Sequence, residues 1–177
     1  MKHIIDPDLC NDGGSAEFYS IIGNPKIGFK QFRSKKWAND AYQKQKLLSK
    51  LGLAPKIYGG ICKLQFDPSH IVGLWTNWGY VTEKAKLFDA KIMSKKLKDI
   101  QTLVNSIYSK TGLKFWDCHY YNVGYIKRQN KKKLVCIDTG KESFDPECNA
   151  WGFGFPGPKC NYCERYRCIC TDNFWSD

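Results

Sequence analysis

The sequence predicts an α+β fold with antiparallel sheets, on three observations. Short segments rich in β-branched and aromatic residues, bounded by Gly, Pro, Asn and Asp, fill the first 32 residues and recur after each helical stretch. Two longer segments, about 34–51 and 89–110, carry residues at +3 and +4 spacing, the period of a helix. The order is strands, helix, strands, long helix, polar loop and hairpin, with no internal repeat.

The elements follow in turn. "NDGG" precedes "AEFYSII", "GNPK" follows it and "IGFKQF" comes next, so three antiparallel strands joined by tight turns are expected. Ser34 is placed to cap a helix that Gly52 ends. Trp37, Ala41, Lys44, Leu48 and Leu51 share one face of it; four suit a core, and Lys44 is the exception. "PKIYGGICKLQF" and "IVGLWTNWGYVTEKA" read as two more strands around a loop at "DPSH". A second helix spans Asp89 to Lys110, with Met93, Leu97, Ile100, Val104 and Ile107 inward and Gly112 at its end. "NVGYIKRQNKKKLVCID" reads as a hairpin with a basic turn, and from Ser143 regular structure fades into Pro, Gly, Cys and aromatic residues.

The 177 residues suit one domain, or one domain with a small appendage, and 42% apolar content is enough to build a core. No stretch approaches the eighteen or so apolar residues of a membrane span. "MKHIIDPDLC" has no apolar h-region and no cleavage site, so a cytoplasmic protein without a membrane partner is expected. The net charge is +11, and between Lys26 and Lys56 the one acid is Asp40. That bias favours nucleotide phosphates, nucleic acid or an acidic protein as partners; solvated helix faces would produce it too. Of nine cysteines, Cys10, Cys62, Cys118, Cys136 and Cys148 are scattered, and most of these read as buried thiols.

Two short stretches carry the chemistry. "KFWDCHYYNVGYI" sets Asp117, His119 and Asn122 close together after the long helix and before a strand. "LVCIDTG" ends the hairpin on Asp138, Thr139 and Gly140. With the order of elements, these residues give the chain, from about residue 9 to 140, a resemblance to the protein-kinase-like superfamily, including its aminoglycoside and choline kinase branches. The resemblance implies a bilobal fold: an N-terminal lobe over 1–84, a minimal C-terminal lobe over 85–145 and a tail over 146–177.

The resemblance also implies roles. Asp117 would accept or orient the proton of a substrate hydroxyl, and Asn122 with Asp138 would hold Mg²⁺. His119 looks like the Asp-x-His form of small-molecule kinases and would lie near the transferring phosphoryl group, while Phe115 stands where that pattern usually has His. Gly140 would permit the turn that frees the Asp138 carboxylate. Lys30 in "IGFK" resembles the phosphate-pairing lysine of a Val-Ala-Ile-Lys strand. "NDGGSAEF" resembles a degraded Gly-rich loop, in which the amides of Gly13, Gly14 and Ser15 would cradle ATP phosphates; alone it would be a plain turn. The backbone near Glu83 and Ala85 would meet adenine.

Two features depart from the pattern. The helix glutamate that pairs with the strand lysine is replaced by Lys44. Two lysines facing each other in a cleft would repel. So Lys44 binds phosphate itself, or the helix is rotated, or another acid such as Glu17 pairs with Lys30, or activity is low. Little chain follows Gly140 before Asp177, so the C-terminal lobe is expected to be truncated, without room for a peptide-docking platform.

The tail holds Cys160, Cys163, Cys168 and Cys170 in "CNYCERYRCIC". Four thiolates so close suit one tetrahedral structural Zn²⁺, with an Fe–S cluster or disulfides as alternatives. Arg165, Tyr166 and Arg167 between them could touch nucleic acid or a protein. The leading expectation is an ATP- and Mg²⁺-dependent kinase with a hydroxyl-bearing acceptor that the sequence does not identify. A pseudokinase-like interaction module and a zinc-knuckle nucleic-acid binder are the alternatives. The compact chain resembles enzymes that viruses or phages encode, which would place it in a host cytoplasm.

Overall fold

Five antiparallel strands organise the N-terminal half. In a computed structural model that describes residues 5, 11–12, 16–63, 78–87, 94–118 and 121–144, these are β1 (Asn11–Asp12), β2 (Ala16–Ile21), β3 (Asn24–Phe32), β4 (Ile57–Lys63) and β5 (Trp78–Glu83). They pair in the order β1-β2-β3-β5-β4. The "NDGG" turn is partly strand, since Asn11 and Asp12 pair with Phe18 and Glu17. The β2–β3 turn falls at Ile22 and Gly23, one step before "NPK", where Gly23 takes a φ of 79° that side-chain-bearing residues avoid. Register then decides what each face carries. Phe18, Lys30 and Tyr80 lie abreast on one face, and Glu17, Gln31 and Gly79 on the other.

Helix α1 (Lys35–Lys50) covers the Lys30 face. The Ser34 hydroxyl accepts the Trp37 N–H at 3.1 Å, satisfying one of the orphan donors of the first turn. At the other end Gly52, at φ 68°, donates to Ser49 O while Leu53 donates to Leu48 O, closing the helix with a glycine cap. Its buried residues are Ala38, Ala41, Gln45 and Leu48. The expected stripe is therefore corrected. Ala41 and Leu48 hold, but Trp37 and Leu51 are 37% and 36% exposed. Small side chains at 38 and 41 let the helix lie close against Phe32 and Tyr80, whose rings stack at 5.6 Å. Lys44 stands at the flank, half-buried, and pairs with Asp40 one turn back.

The C-terminal half sets a second sheet, β6 (Lys86–Leu87), β7 (Val123–Arg128) and β8 (Lys131–Cys136), beside α2 (Leu97–Thr111). Gln129 and Asn130 turn the β7–β8 hairpin with φ of 47° and 61°, the left-handed pair that suits a two-residue hairpin turn. α-Helix runs from Leu97 after a 3₁₀ turn over Ser94–Lys96, and Lys96 makes no side-chain capping hydrogen bond; the expected start at Asp89 lies outside the described residues. Met93 lies outside the described residues. Ile100, Leu103, Val104 and Ile107 face inward and join Leu48, Leu53, Ala54, Phe115, Cys118, Val123 and Cys136 in one core cluster. That cluster spans both halves, and the Cys136 N–H donates to Leu53 O at 2.9 Å across them.

A last turn, α3 (Lys141–Phe144), follows the Asp138 motif and stacks Phe144 on Phe115 at 5.2 Å. Cys118 and Cys136 are buried thiols as expected, but Cys62 is exposed on β4; Cys10 and Cys148 lie outside the described residues. Among the described residues no helix is long and apolar enough to cross a membrane.

The sheet packing yields a paired test. A Cβ on Gly79 would meet Lys30 O at 2.1 Å and the Phe29 ring at 2.7 Å, whereas one on Gly60 meets nothing within 4 Å. Backbone cannot yield as a side chain can, so Gly79→Ala should cost about 3 kcal/mol, the upper end of overpacking. Gly60→Ala should be neutral or gain up to about 1 kcal/mol. Urea midpoints of the two variants, at unchanged m, check both.

Candidate active site

β3 delivers Lys30 and β8 delivers Asp138 to the same point. The Lys30 ammonium donates to Asp138 Oδ1 at 2.9 Å and to Ile137 O at 3.2 Å. Alternation along β3 turns Lys30 under α1, and the end of the hairpin presents Asp138 to it. Lys30 is 7% exposed. Burial disfavours its charge, but Asp138 outweighs burial and the pKa is raised. Burial likewise pushes Asp138 upward, yet Lys30, the Ser143 hydroxyl and the Gly140 amide hold it at about 2. The pair is charged throughout the neutral range.

Asp138 has further donors. Ser143 Oγ donates to its Oδ2 at 2.7 Å and the Gly140 N–H to its Oδ1 at 3.1 Å. The chain bends at Gly140 without a positive φ, and its N–H is turned back onto the carboxylate. Ser143 also offers its carbonyl to the N–H groups of Trp116 and Asp117, at 3.0 and 3.4 Å. One serine thus ties the Asp138 segment to the loop that carries Asp117. Nothing in its sequence neighbourhood singles it out.

Asp117 and Asn122 hold each other. Asn122 Nδ2 donates to Asp117 Oδ2 at 2.8 Å and to its backbone carbonyl at 2.9 Å, which ties the two residues together. The Ile137 N–H donates to Asn122 O at 2.9 Å, so this loop and the Asp138 segment share a backbone junction. Asn122 is buried beneath it and Asp117 partly exposed above.

The helix position predicted for Lys44 belongs to Gln45. Gln45, 1% exposed, donates to Thr82 Oγ1 at 2.6 Å and Pro55 O at 3.2 Å, and accepts from Tyr80 OH at 2.9 Å. Thr139 joins through Gln45 Oε1 at 3.5 Å, Tyr80 OH at 3.4 Å and Ala41 O at 3.0 Å. Burial pushes the Tyr80 hydroxyl up to about 12, so it stays a donor. Lys44, paired with Asp40, does not face Lys30. Nor does Glu17, which points from the opposite sheet face and accepts from Tyr19 OH at 2.6 Å. The signal for Gln45 was a polar residue at the +3/+4 phase of Ala38, Ala41 and Leu48.

At the junction of the halves, Arg128 grips the Glu83 carboxylate with both guanidinium nitrogens, and the Lys56 N–H donates to it at 3.1 Å. Burial raises the Glu83 pKa and these donors outweigh it, so the net shift is downward. Ala85 follows at the crossing to β6, its Cβ close to Gly124. Gly13, Gly14, Ser15, His119, Cys160, Cys163, Cys168 and Cys170 lie outside the described residues. Among the described residues no group of three or more His, Cys, Asp or Glu side chains is placed to hold a metal ion.

No protein-family model matches the chain, and no curated protein matches its sequence. Its fold matches the solved structure of the Cydia pomonella granulovirus kinase PK-1, with a TM-score of 0.51 and 11% identity over 79% of this chain. The chain spans about half of that kinase's length, 54%. At such identity the likeness is one of fold alone: the chain has a kinase-like fold.

The Lys30–Asp138 pair sets a pH signature. Asp138 titrates at about 2 when folded, against 3.8 for an unperturbed carboxyl. Its contribution, on the order of 2 kcal/mol, is complete above pH about 4 and lost as pH falls to about 2. Asp138→Asn removes it and leaves Lys30 buried without its carboxylate, a loss of about 3 kcal/mol or more at neutral pH. The stability gap between wild type and Asp138→Asn should narrow on acidification through pH 4 to 2. A gap independent of pH in denaturant titrations would contradict the assignment.

Proposed function

We propose that the chain is an ATP- and Mg²⁺-dependent phosphotransferase acting on a hydroxyl-bearing acceptor, a small molecule or a protein. The observation that carries this reading is the meeting of Lys30 and Asp138 at 2.9 Å, beside a loop in which Asn122 holds Asp117. A phosphate-binding cation, a metal-binding carboxylate and a proton acceptor are then grouped as phosphoryl transfer requires. The kinase-like fold supports the same reading.

The residues fit the expected Mg²⁺. Asp138 is held ionised, and Asn122 Oδ1 would add a second hard oxygen. Mg²⁺ is commonly held by one or two such protein oxygens, with water and substrate phosphate completing the shell, so a dedicated cage is not required. Bound there, the ion would neutralise charge on phosphate oxygens. Lys30 would hold phosphate, Asp117 would take the acceptor's hydroxyl proton, and the amides of Gly13, Gly14 and Ser15 would cradle the phosphates. At Glu83 the side chain is taken up by Arg128 and Lys56, so the backbone there and at Ala85 is what this segment would offer a base.

A second reading, a pseudokinase-like interaction module, has one observation in its favour: both Asp138 oxygens already accept hydrogen bonds within the chain. The two readings part experimentally. Mg-ATP should raise the melting temperature of wild type and leave Asp138→Ala unmoved. Labelled γ-phosphate should reach an acceptor hydroxyl, slowed about 10²- to 10⁴-fold by Asp117→Asn, the range for loss of a general base. Absence of transfer across a panel of small-molecule and protein hydroxyls, together with no Mg-ATP shift, would favour the module.

A further inference from the structure

Gln45 occupies the point on α1 from which a helix can reach both the sheet and the Asp138 segment. Every hydrogen-bonding atom of its side-chain amide is used. Nε2 donates to Thr82 Oγ1 at 2.6 Å and Pro55 O at 3.2 Å, while Oε1 accepts from Tyr80 OH at 2.9 Å and, as the longer arm of a shared proton, from Thr139 Oγ1 at 3.5 Å. The shorter arm of that proton goes from Thr139 Oγ1 to Ala41 O at 3.0 Å, one helical turn earlier. Gln45, Tyr80 and Thr139 are each 1% exposed or less, so water cannot substitute for a lost partner without opening the core. The network is neutral. It leaves the Lys30 ammonium to Asp138, the residue next to Thr139.

We propose that Gln45 is a positioning residue, which through Tyr80 and Thr139 couples the placement of α1 to that of the Asp138–Gly140 segment. This rests on the phosphotransferase reading for its consequence in catalysis, but the coupling itself is a property of the folded chain. If α1 shifts, the Thr139 hydroxyl loses both arms of the proton it shares between Ala41 O and Gln45 Oε1, and Asp138 moves with it. A neutral hydrogen-bonded tether thus does the work for which a charged helix-to-strand pair would otherwise serve. Displacement of the segment by about 1 Å would misplace the carboxylate and lower turnover by up to about 100-fold, while nucleotide contacts elsewhere persist.

The test uses the full chain with Gln45→Met, Tyr80→Phe, Thr139→Val and Thr139→Ser. Amide hydrogen exchange at Thr139 and Gly140 is compared with that at Val135 in β8, and kcat and KM for Mg-ATP are measured beside it. Gln45→Met and Thr139→Val should each speed exchange at Gly140 about tenfold while Val135 changes less than about twofold, since the opening is local. Both should lower kcat about tenfold or more with KM nearly constant, and Thr139→Ser, which keeps the hydroxyl, should restore both. Combining Gln45→Met with Thr139→Val should add little to either alone, because they cut one linkage. Equal acceleration at Val135 and Gly140 means a merely structural role and overturns the proposal, as does unaltered exchange. Altered exchange with unaltered kcat overturns its catalytic half. If Gln45→Met does not fold, the Val/Ser pair at 139 decides alone. A wild type without transfer activity sinks the phosphotransferase reading, while the exchange comparison still decides the coupling.

Discussion

A buried ammonium and a carboxylate at 2.9 Å impose a condition on everything around them. Each charge, taken from water alone, costs several kcal/mol; only mutual approach with good geometry and further hydrogen bonds offsets that. The chain must therefore bring β3 and the end of β8, more than a hundred residues apart, to one spot and keep them there. The core cluster shared by the two halves supplies the bulk adhesion, with Leu48, Leu53 and Ala54 packed among side chains of α2, β7 and β8. Directional bonds then set the register. Cys136 donates to Leu53, Ile137 to Asn122, and Arg128 clasps Glu83. Packing brings the halves together, and these bonds decide which residues meet.

Asp138 is held from three sides by groups of different origin. Lys30 comes from the N-terminal sheet, Ser143 from the turn that follows, and Gly140 from its own segment. Ser143 extends the hold to the Asp117 segment through its carbonyl, and Asn122 pins Asp117 there. The result is one connected polar assembly set against an apolar floor of Phe115, Val123 and Cys136. Connected networks of this kind are stiffer than their separate bonds, because no member can move without several others losing partners.

The ordering of elements was legible from residue patterns. Alternation and turn residues located β2, β3 and the β7–β8 hairpin, and a capping serine with a distal glycine bounded α1. The phase of α1 was not legible. Trp37 and Leu51 look like core residues, but each lies near a helix end where less of the sheet lies against it, and hydrophobicity cannot see that. Gln45 shares the phase of Ala38, Ala41 and Leu48, but polarity masked it: its burial rests on hydrogen bonds to Thr82, Tyr80 and Thr139, none of them near it in sequence. Lys44 consequently looked like a repulsive charge facing Lys30, when Asp40 on its own helix already accounts for it. Of the residues expected at the site, Lys30, Asp117, Asn122 and Asp138 converge, because strand alternation and short-loop geometry are local. Ser143, which joins them, left no local trace.

The direct contact of Lys30 with Asp138 bears on whether such an assembly can act rather than merely persist. A carboxylate engaged on both oxygens can be read as a closed site. The energetics argue otherwise. On the phosphotransferase reading, Lys30 exchanges one anionic partner for another and Asp138 exchanges one cationic partner for another. Neither charge need be stranded in the interior, so the desolvation cost that makes a broken buried pair so destabilising is not incurred twice. The neutral tether through Gln45 matters in this exchange. It ties Thr139 to α1 whether or not Lys30 still touches Asp138, so the segment keeps its place when its ion-pair partner changes.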